Sequence, residues 1–358
     1  NDNVGVGYAA LEANTSGLQN VALGASSLTL NTSGSYNSAV GYNALTRNTT
    51  GIMNTAIGNG SLFNNLIGNS NVGIGKSALE RNFSGSSNNA VGNFSLFNNQ
   101  SGSENISIGE SALERNISGS YNIAIGASSL YNNQSTSNST SVGHESQLNN
   151  LSGQNNTSLG FQSLFANSSG SNNIAIGYNS FYLGNYNNSI AIGSNTVVSS
   201  DNQVRIGNNN TTSIGGFTNW TNVSDKRFKK NINYQNVPGL DFILKLKPVT
   251  YNLDQDYIVQ NLYKSNQKNN QTGTLQTGFI AQEVEFVAKE ISYDFSGIDT
   301  PKNETDYYGI RYAEFVVPLT KAIQEQQEII IKQHAEIDAL KQEFQKVLAI
   351  LETLKSSK

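Results

Sequence analysis

The order of apolar and polar residues repeats every seventeen positions over the first three fifths of the chain. Eleven glycines keep this spacing. Each follows an aliphatic residue, which itself follows Gly, Ala or Ser. Leu or Phe stands four residues after the glycine in ten repeats, Asn seven after in ten, and Gly ten after in nine. This register predicts a solenoid of stacked coils. The repeated glycines are Gly7, Gly24, Gly41, Gly58, Gly75, Gly92, Gly109, Gly126, Gly143, Gly160 and Gly177.

The composition of each repeat favours a β-roll. Seventeen residues are too few for two helices and a turn, and β-branched residues gather before the repeated glycine. We predict two short strands and two turns per coil, with the Asn and the second Gly in turns that need a positive φ. At about 4.8 Å per coil, the stretch from Gly7 to Gly177 spans roughly 48 Å. The spacing then falls to sixteen at Gly193 and fourteen at Gly207, which marks a tapering end.

The apolar content of each coil predicts a thin core. One aliphatic residue and one leucine per coil bury little surface for a coil of this length. The small residue beside the aliphatic predicts the close approach of another backbone. Together these features predict that the solenoid oligomerises.

The last forty-odd residues change to a seven-residue apolar period. This period predicts a helix over 313–358, and a fully helical 313–357 would span about 65 Å. Ile-rich a positions do not strongly favour dimers, and Gln at d can hydrogen-bond around a three-fold axis, so we predict a trimeric coiled coil. The alternative is one amphipathic helix packed on its own domain. The a positions are Ile323, Ile330, Ile337, Phe344 and Leu351, and the d positions are Gln326, Gln333, Leu340, Val347 and Leu354.

Charge divides the chain into two parts. Of the 22 basic and 26 acidic side chains, 13 lie in residues 1–223 and 35 in residues 224–358, and all four prolines lie in the second part. We predict a repeat region over 1–207, a neck over 208–223, a small α+β domain over 224–312 and the helix over 313–358.

Composition also excludes several kinds of chemistry. The chain has no cysteine, which removes disulfides, thiol catalysis, zinc–thiolate sites and iron–sulfur clusters. A net charge of −4 and a repeat region poor in Lys and Arg predict no nucleic-acid partner. The longest apolar runs are too short to cross a bilayer. We expect no metal and no cofactor.

The repeats resemble the heads of trimeric autotransporter adhesins. The resemblance rests on NTAIG at 54–58, NVALG at 20–24 and NIAIG at 122–126 and 173–177, and it covers about residues 3–207. It implies a homotrimer of left-handed parallel β-rolls. The repeats are longer here than is usual in that family, and no C-terminal membrane-anchor barrel follows them.

The second part resembles the intramolecular chaperone domain of phage endosialidases and tailspikes, peptidase family S74. The resemblance runs through essentially all of 224–358 and rests on four segments in order: SDKRFKKNI at 224–232, LKPVTYNL at 246–253, TGFIAQEVE at 277–285 and YAEFVVPLTKAIQEQQ at 312–327. It implies self-cleavage of the Val223–Ser224 bond, with Ser224 as nucleophile, Lys229 as base and Asp225 as a third catalytic residue.

The residues alone leave a second interpretation of this segment open. A serine needs a base to become a nucleophile, and a partly desolvated lysine can supply one. A Ser-Asp-x-Arg cluster is also typical of a helix N-cap followed by a solvated run of charge. The two histidines, His144 and His334, are expected to be structural or merely exposed.

These modules predict a homotrimeric fibre of the tail-fibre type, carried on a virion or phage-tail-like particle. A C-terminal clamp would hold near-identical repeats in register. The expected partners are an upstream fibre or baseplate attachment segment and a host glycan or protein receptor, the glycan stacking on exposed aromatics such as Tyr8 and Phe161. A bacterial surface adhesin or stalk built from the same parts is the alternative. A glycan-degrading tailspike would need a carboxylate pair that we do not find.

Overall fold

A computed structural model describes residues 2–264 and 274–356. The chain divides into two compact units, Asn1–Phe217 and Thr218–Lys358. The first unit holds the repeats. The second holds the helices and two small sheets.

The first unit contains one sheet of thirteen parallel three-residue strands in sequence order. Neighbours pair with an offset of seventeen residues up to β11, then sixteen and fourteen, so the shortening of the repeat is taken up inside the sheet. This confirms the predicted parallel solenoid. The strands are β1 Val4–Val6, β2 Val21–Leu23, β3 Ser38–Val40, β4 Thr55–Ile57, β5 Val72–Ile74, β6 Asn89–Val91, β7 Ile106–Ile108, β8 Ile123–Ile125, β9 Thr140–Val142, β10 Thr157–Leu159, β11 Ile174–Ile176, β12 Ile190–Ile192 and β13 Val204–Ile206.

Each coil has one strand, so the prediction of two strands per coil is wrong. The stretch after the repeated glycine is a run of turns in which the second and fourth residues are left-handed, as at Ser26 (φ 59°) and Leu28 (φ 50°). A left-handed leucine costs about 1–2 kcal/mol. Leu28 is completely buried, and burying such a side chain contributes a similar amount or more. Apolar burial therefore overrides backbone preference here.

The two glycines of each repeat are required for different reasons. Gly75 has φ +129°, and a Cβ there would lie 2.6 Å from the carbonyl oxygen of Gly92 in the next coil. Gly68 has no positive φ, but a Cβ there would lie 2.3 Å from the oxygen of Gly85. The predicted positive φ at the second glycine is therefore wrong. The stacking of one backbone on the next leaves little room for a side chain there, and Gly is kept at this position in nine of the eleven repeats.

The asparagine seven residues after the repeated glycine has no positive φ either, so this part of the prediction is also wrong. Its side chain lies inside the coil. Asn65 is fully buried. Its Nδ2 donates to Asn48 Oδ1 in the preceding coil and to the Gly68 carbonyl, both at 2.9 Å, and its Oδ1 accepts from Asn82 Nδ2 at 2.7 Å. The same side-chain contacts repeat from Asn14 to Asn133. A ladder of side-chain amides therefore runs through this part of the solenoid, and at the next coil Asn150 donates to Thr136 Oγ1 instead.

A second amide ladder stands four residues before the repeated glycine. Asn54 is buried, its Oδ1 accepts the backbone N–H of Asn71 at 3.0 Å, and its Nδ2 donates to the Gly68 carbonyl at 2.8 Å. The pattern recurs at Asn37 and Asn88. Each ladder satisfies its own amides and joins adjacent coils, which removes the cost of burying them.

The apolar core of each coil is formed by the small residue at the centre of the strand and the leucine four after the glycine, such as Ala56 and Leu62. The backbone that approaches the small residue belongs to the same chain. A Cβ at Gly73 would meet Ser61 Oγ at 2.6 Å, the Ala78 carbonyl oxygen at 3.2 Å and Leu62 Cγ at 3.3 Å. The small residue is required by the narrow interior of its own coil.

One slice of the solenoid has a polar interior. Gln147 replaces the repeated leucine, is fully buried, and donates to the Thr140 carbonyl at 3.1 Å and to Ser158 Oγ at 2.9 Å. In the neighbouring turns Thr136 replaces the second glycine and Ser139 replaces an asparagine of the second ladder. The apolar core is accordingly divided into one cluster that ends at Leu130 and another that begins at Leu164.

The second unit is a small mixed domain followed by a long helix. Two antiparallel pairs, β14 with β15 and β16 with β17, lie among three short helices. The elements are a 3-10 turn Lys226–Phe228, α1 Leu240–Ile243, β14 Val249–Tyr251, α2 Gln255–Asn261, β15 Gln276–Gly278, α3 Ala281–Glu290, β16 Ile298–Asp299, β17 Gly309–Ile310, a 3-10 turn Tyr312–Phe315 and α4 Val316–Ser356.

Aromatic rings form the core of this domain. Phe242 of α1 packs with Phe295 at 5.0 Å between ring centroids, and Phe295 meets Phe315 edge-on at 4.8 Å. Val284 and Val287 on the buried face of α3 complete the cluster. Phe315 ends the 3-10 turn that leads into α4, so the start of the long helix is fixed by this core.

We expect Asn65→Ala to lower the free energy of unfolding by about 3 kcal/mol, because Asn48 Oδ1 loses its amide donor inside the coil, while Asn82 Nδ2 and the Gly68 carbonyl each lose one of their two bonds. Urea unfolding followed by circular dichroism measures the change. The control is Asn59→Ala, an exposed asparagine in the same coil. Equal stability of the two variants would contradict the role of the ladder.

Candidate functional site

The segment that begins the second unit brings the predicted nucleophile and base together. Ser224 precedes the 3-10 turn Lys226–Phe228, and Lys229 ends it, with its N–H bonded to the carbonyl of Lys226. The turn shortens the path between the two side chains, and Lys229 Nζ lies 2.7 Å from Ser224 Oγ. This distance permits proton transfer from the hydroxyl to an unprotonated amine.

Asp225 is the N-cap of the same turn. Its Oδ1 accepts the backbone N–H of Arg227 at 2.8 Å, and its two oxygens pair with Arg227 Nε at 3.0 Å and Nη2 at 2.8 Å. The side-chain bonds to Arg227, followed by the backbone bond, lower the pKa of Asp225. The carboxylate thus shapes the turn that positions Lys229. The N-cap interpretation of the sequence describes Asp225 correctly, while Ser224 lies outside the cap.

The bond predicted to be cut is accessible. Val223 and Ser224 are exposed, as is Lys229. A lysine acts as a base when its surroundings remove water from the amine. The single chain places the two groups at bonding distance and leaves Lys229 exposed to water, so the remaining requirement is a cover over the amine.

The outer face of the long sheet carries an apolar column, which we call the aliphatic column. It consists of the third residue of every strand, and eleven of the thirteen side chains are exposed, from 36% for Val91 to 55% for Val6. The sequence pattern identified these residues as core, but they point outward, because the third residue of each strand faces away from the interior that the second residue fills. The column consists of Val6, Leu23, Val40, Ile57, Ile74, Val91, Ile108, Ile125, Val142, Leu159, Ile176, Ile192 and Ile206.

The predicted coiled-coil seam lies on α4. The start of this helix packs on its own domain: Pro318 and Ala322 are buried, and Glu325 Oε2 accepts the backbone N–H of Leu240 at 2.7 Å. Beyond these first turns the side chains are exposed, so the alternative of a helix packed along its own domain is wrong for most of its length. The exposed seam residues are Ile323, Ile330, Ile337, Leu340, Phe344, Val347, Leu351 and Leu354.

Some of the aromatics predicted to stack on sugars, among them Phe161 and Tyr178, are arranged in a ladder. His144, Phe161 and Tyr178 stack in successive coils at 5.5 and 5.4 Å between centroids, with nearly parallel planes. Their faces cover one another and present ring edges outward. Tyr8 is 83% exposed. The sugar-stacking role stays a prediction. In this ladder a sugar could contact only the ring edges and the outer faces of its first and last rings.

The repeated Asn-x-Ser/Thr motifs are part of the inner ladder. Asn31 and Asn48 are completely buried and bonded through both atoms of the side-chain amide. Sugar attachment at these positions would need the coil to open. The sequence signal that identifies the ladders is the asparagine column itself, at two positions of the seventeen.

Among residues 2–264 and 274–356, no group of three or more His, Asp or Glu side chains is arranged to hold a metal ion. Within the same ranges, no helix combines the length and the apolar character needed to cross a membrane.

Comparison with known proteins identifies one module. The profile of the family described as chaperone of endosialidase, peptidase family S74, matches residues 224–293 and so begins at Ser224. A parallel β-solenoid precedes it. No curated protein and no solved structure matches the chain. The two modules together fit a phage tail-fibre-type protein.

We expect Asp225 to titrate below the usual carboxyl value of 3.8 because the ionised form is held by Arg227. A lowered folded pKa means that the ion pair stabilises the turn above the unfolded pKa and is lost as the pH falls through the folded pKa. Carboxyl-carbon NMR of Asp225 follows this directly. Arg227→Gln should move the midpoint upward, and an unchanged midpoint would remove Arg227 as the cause.

Proposed function

We propose that the chain is a subunit of a homotrimeric tail fibre, assembled by its C-terminal module, which then cuts itself off at Val223–Ser224. The observation that carries the cleavage is the 2.7 Å contact between Lys229 Nζ and Ser224 Oγ at the first residues of the family match. The proposed location is a virion or a phage-tail-like particle, because the matched family is associated with phage tail proteins.

Two exposed apolar surfaces support the trimer. The aliphatic column runs the full length of the sheet, and the seam runs along α4 beyond its packed first turns. Covering a half-exposed aliphatic side chain contributes about 1 kcal/mol. A second and a third copy of the same chain fit these surfaces best, because their aliphatic columns repeat at the same spacing and α4 carries a heptad seam.

The proposed role of α4 and its domain follows from the likeness of the coils. A slip of one chain by one coil against its neighbour would replace each aliphatic residue by another. The sheet face therefore holds the chains together without fixing their register. The seam on α4 has its own heptad order with Phe344 at one a position, and it supplies a single alignment for three chains.

The proposed cleavage balances as an N-to-O acyl shift followed by hydrolysis. Lys229 takes the Ser224 hydroxyl proton as Oγ attacks the Val223 carbonyl carbon. The carbon–nitrogen bond breaks, and the lysine returns the proton to the leaving α-amine of Ser224. Water then hydrolyses the ester between Val223 and Oγ, which yields a carboxylate at Val223 and restores the hydroxyl. The products are residues 1–223 and 224–358.

In this proposal trimer assembly licenses cleavage. Lys229 is exposed in the single chain, so the amine becomes a base only when a neighbouring copy removes its water. Release of the clamp then leaves the fibre kinetically trapped, since the element that set the register is gone.

We expect freshly expressed protein to separate into pieces that end at Val223 and begin at Ser224, as read by intact mass. Ser224→Ala should remain whole, because it lacks the attacking oxygen. Lys229→Ala should slow the cut on the order of 100-fold. The matched control is Lys226→Ala, an exposed lysine of the same turn, which should cut at the normal rate. A wild-type chain that stays whole as a trimer would remove the peptidase assignment and leave the clamp.

We expect Ile108→Asp with Ile125→Asp to abolish the trimer of the repeat region, because two charges would be buried in the aliphatic column of neighbouring copies. Light scattering measures the mass, and circular dichroism checks the fold, which should persist because both side chains point outward. Ser118→Asp with Ser135→Asp adds the same charges at exposed turn positions of two adjacent coils and serves as control. Equal trimer content in both pairs would show that the column is not the interface.

A further inference from the structure

Part of the solenoid surface repeats every 34 residues, twice the period of the fold. Six residues after the repeated glycine, Arg alternates with Asn from residue 47 to residue 132. One position earlier, Phe or Tyr alternates with Thr or Glu over the same coils. We call this surface the arginine lane, and it consists of Thr46, Arg47, Phe63, Asn64, Glu80, Arg81, Phe97, Asn98, Glu114, Arg115, Tyr131 and Asn132.

The three arginines of the lane are held in the same way. Each guanidinium donates from Nη1 to the Oδ1 of the asparagine in the next coil, at 3.0 Å in all three cases. Arg81 lies 5.0 Å from the ring centre of Phe97, and Arg115 lies 5.0 Å from that of Tyr131. These contacts fix the exposed heads, so a ligand would meet them already ordered.

The fold does not require this alternation. The coils that follow carry Leu148 with Asn149, and Phe165 with Ala166, at the same two positions. Their strands keep the same parallel register and their backbones stack in the same way. The backbone fold therefore does not depend on the two-coil pattern, which belongs to the surface side chains alone.

The chemistry of the lane suits an uncharged, hydroxyl-rich ligand. Each guanidinium has five N–H donors and gives one to its asparagine in the contacts described here, which leaves donors for paired hydroxyls. Glu80 beside Arg81 and Glu114 beside Arg115 supply acceptors and balance the charge, which disfavours a polyanion. One face of Phe97 and one face of Tyr131 are covered by a guanidinium, so each ring offers its edge and its other face.

The lane also lies away from the aliphatic column. Arg81 comes seven residues after the outward Ile74 and eight before the start of the next strand at Asn89, half a coil from either. The lane consequently stays open when other copies cover the sheet face. Two coils advance about 10 Å, and two sugars of an extended linear polysaccharide advance by a similar length.

We propose that the arginine lane binds an uncharged linear polysaccharide, with one two-sugar unit on each pair of coils and three such units from Arg47 to Asn132. The proposal rests on the proposed fibre function only for its biological context. The binding site itself does not depend on it, because all residues of the lane belong to one chain. It names the class of surface glycan that the fibre would recognise. Binding gains strength from three similar subsites in a row.

The test uses the full-length protein and immobilised uncharged polysaccharides with β-1,4, β-1,3 and α-1,4 linkages, with hyaluronan as the charged comparator. Oligosaccharides of two, four and six sugars from the bound polysaccharide are then titrated by calorimetry. We expect the affinity to rise about tenfold with each added pair of sugars. The variant Arg47→Gln with Arg81→Gln and Arg115→Gln should lose at least about 100-fold, and Arg205→Gln, an exposed arginine outside the lane, should stay within about twofold of wild type.

Three results would overturn the proposal: no binding to any uncharged polysaccharide, equal binding by the triple variant, or binding to hyaluronan alone. Light scattering on the same samples separates this outcome from the fibre proposal. A trimer that binds no polysaccharide refutes the lane and leaves the fibre, whereas a monomer that binds through the three arginines refutes the trimer and leaves the lane.

Discussion

The stacked amides inside the coil are the constraint on which the solenoid depends. An asparagine side chain has one acceptor and two donors, and each ladder uses them to join a coil to its neighbours and to a glycine carbonyl. Buried amides are stable only while this pattern is complete. The requirement fixes the rise between coils and brings the backbones so close that two positions per repeat are almost always glycine. The amide hydrogen bonds add to the burial of the thin apolar core in holding adjacent coils together.

Periodicity identified the class of the fold, the length of the coil and its tapering end, because each depends only on the spacing of residues. It did not show which way a residue points. The aliphatic residue before Gly75 is Ile74 on the outer face, and the asparagine seven residues after it, Asn82, is inside, although hydropathy favours the reverse. Hydropathy fails where a polar side chain finds all its partners within a regular lattice. Gln147, the one exception in the leucine column, shows the same principle, since serines around it replace the apolar contacts.

The contact between Ser224 and Lys229 could be predicted from the sequence for a different reason. Ser224 and Lys229 lie five residues apart, and a single tight turn is enough to bring their side chains together, so local geometry determines the contact. Asp225 was placed beside this pair by sequence, while the structure gives its oxygens to Arg227. Distance along the sequence does not show whether Asp225 pairs with Arg227 or with Lys229. Local spacing did not show how far Lys229 is exposed, which the structure gives.

The two periods of the solenoid restrict how such a protein can change its length in evolution. Each coil bonds only to the coils beside it, so a tandem duplication or deletion of whole coils leaves every other contact intact. A gain of 34 residues within the arginine lane preserves the order of arginine and asparagine. A gain of seventeen would set two arginines, such as copies of Arg81, on adjacent rungs about 5 Å apart, where like charges repel. Recombination in this region is therefore expected to proceed in steps of two coils. The length of the solenoid would then change together with the number of arginine–asparagine pairs on its surface.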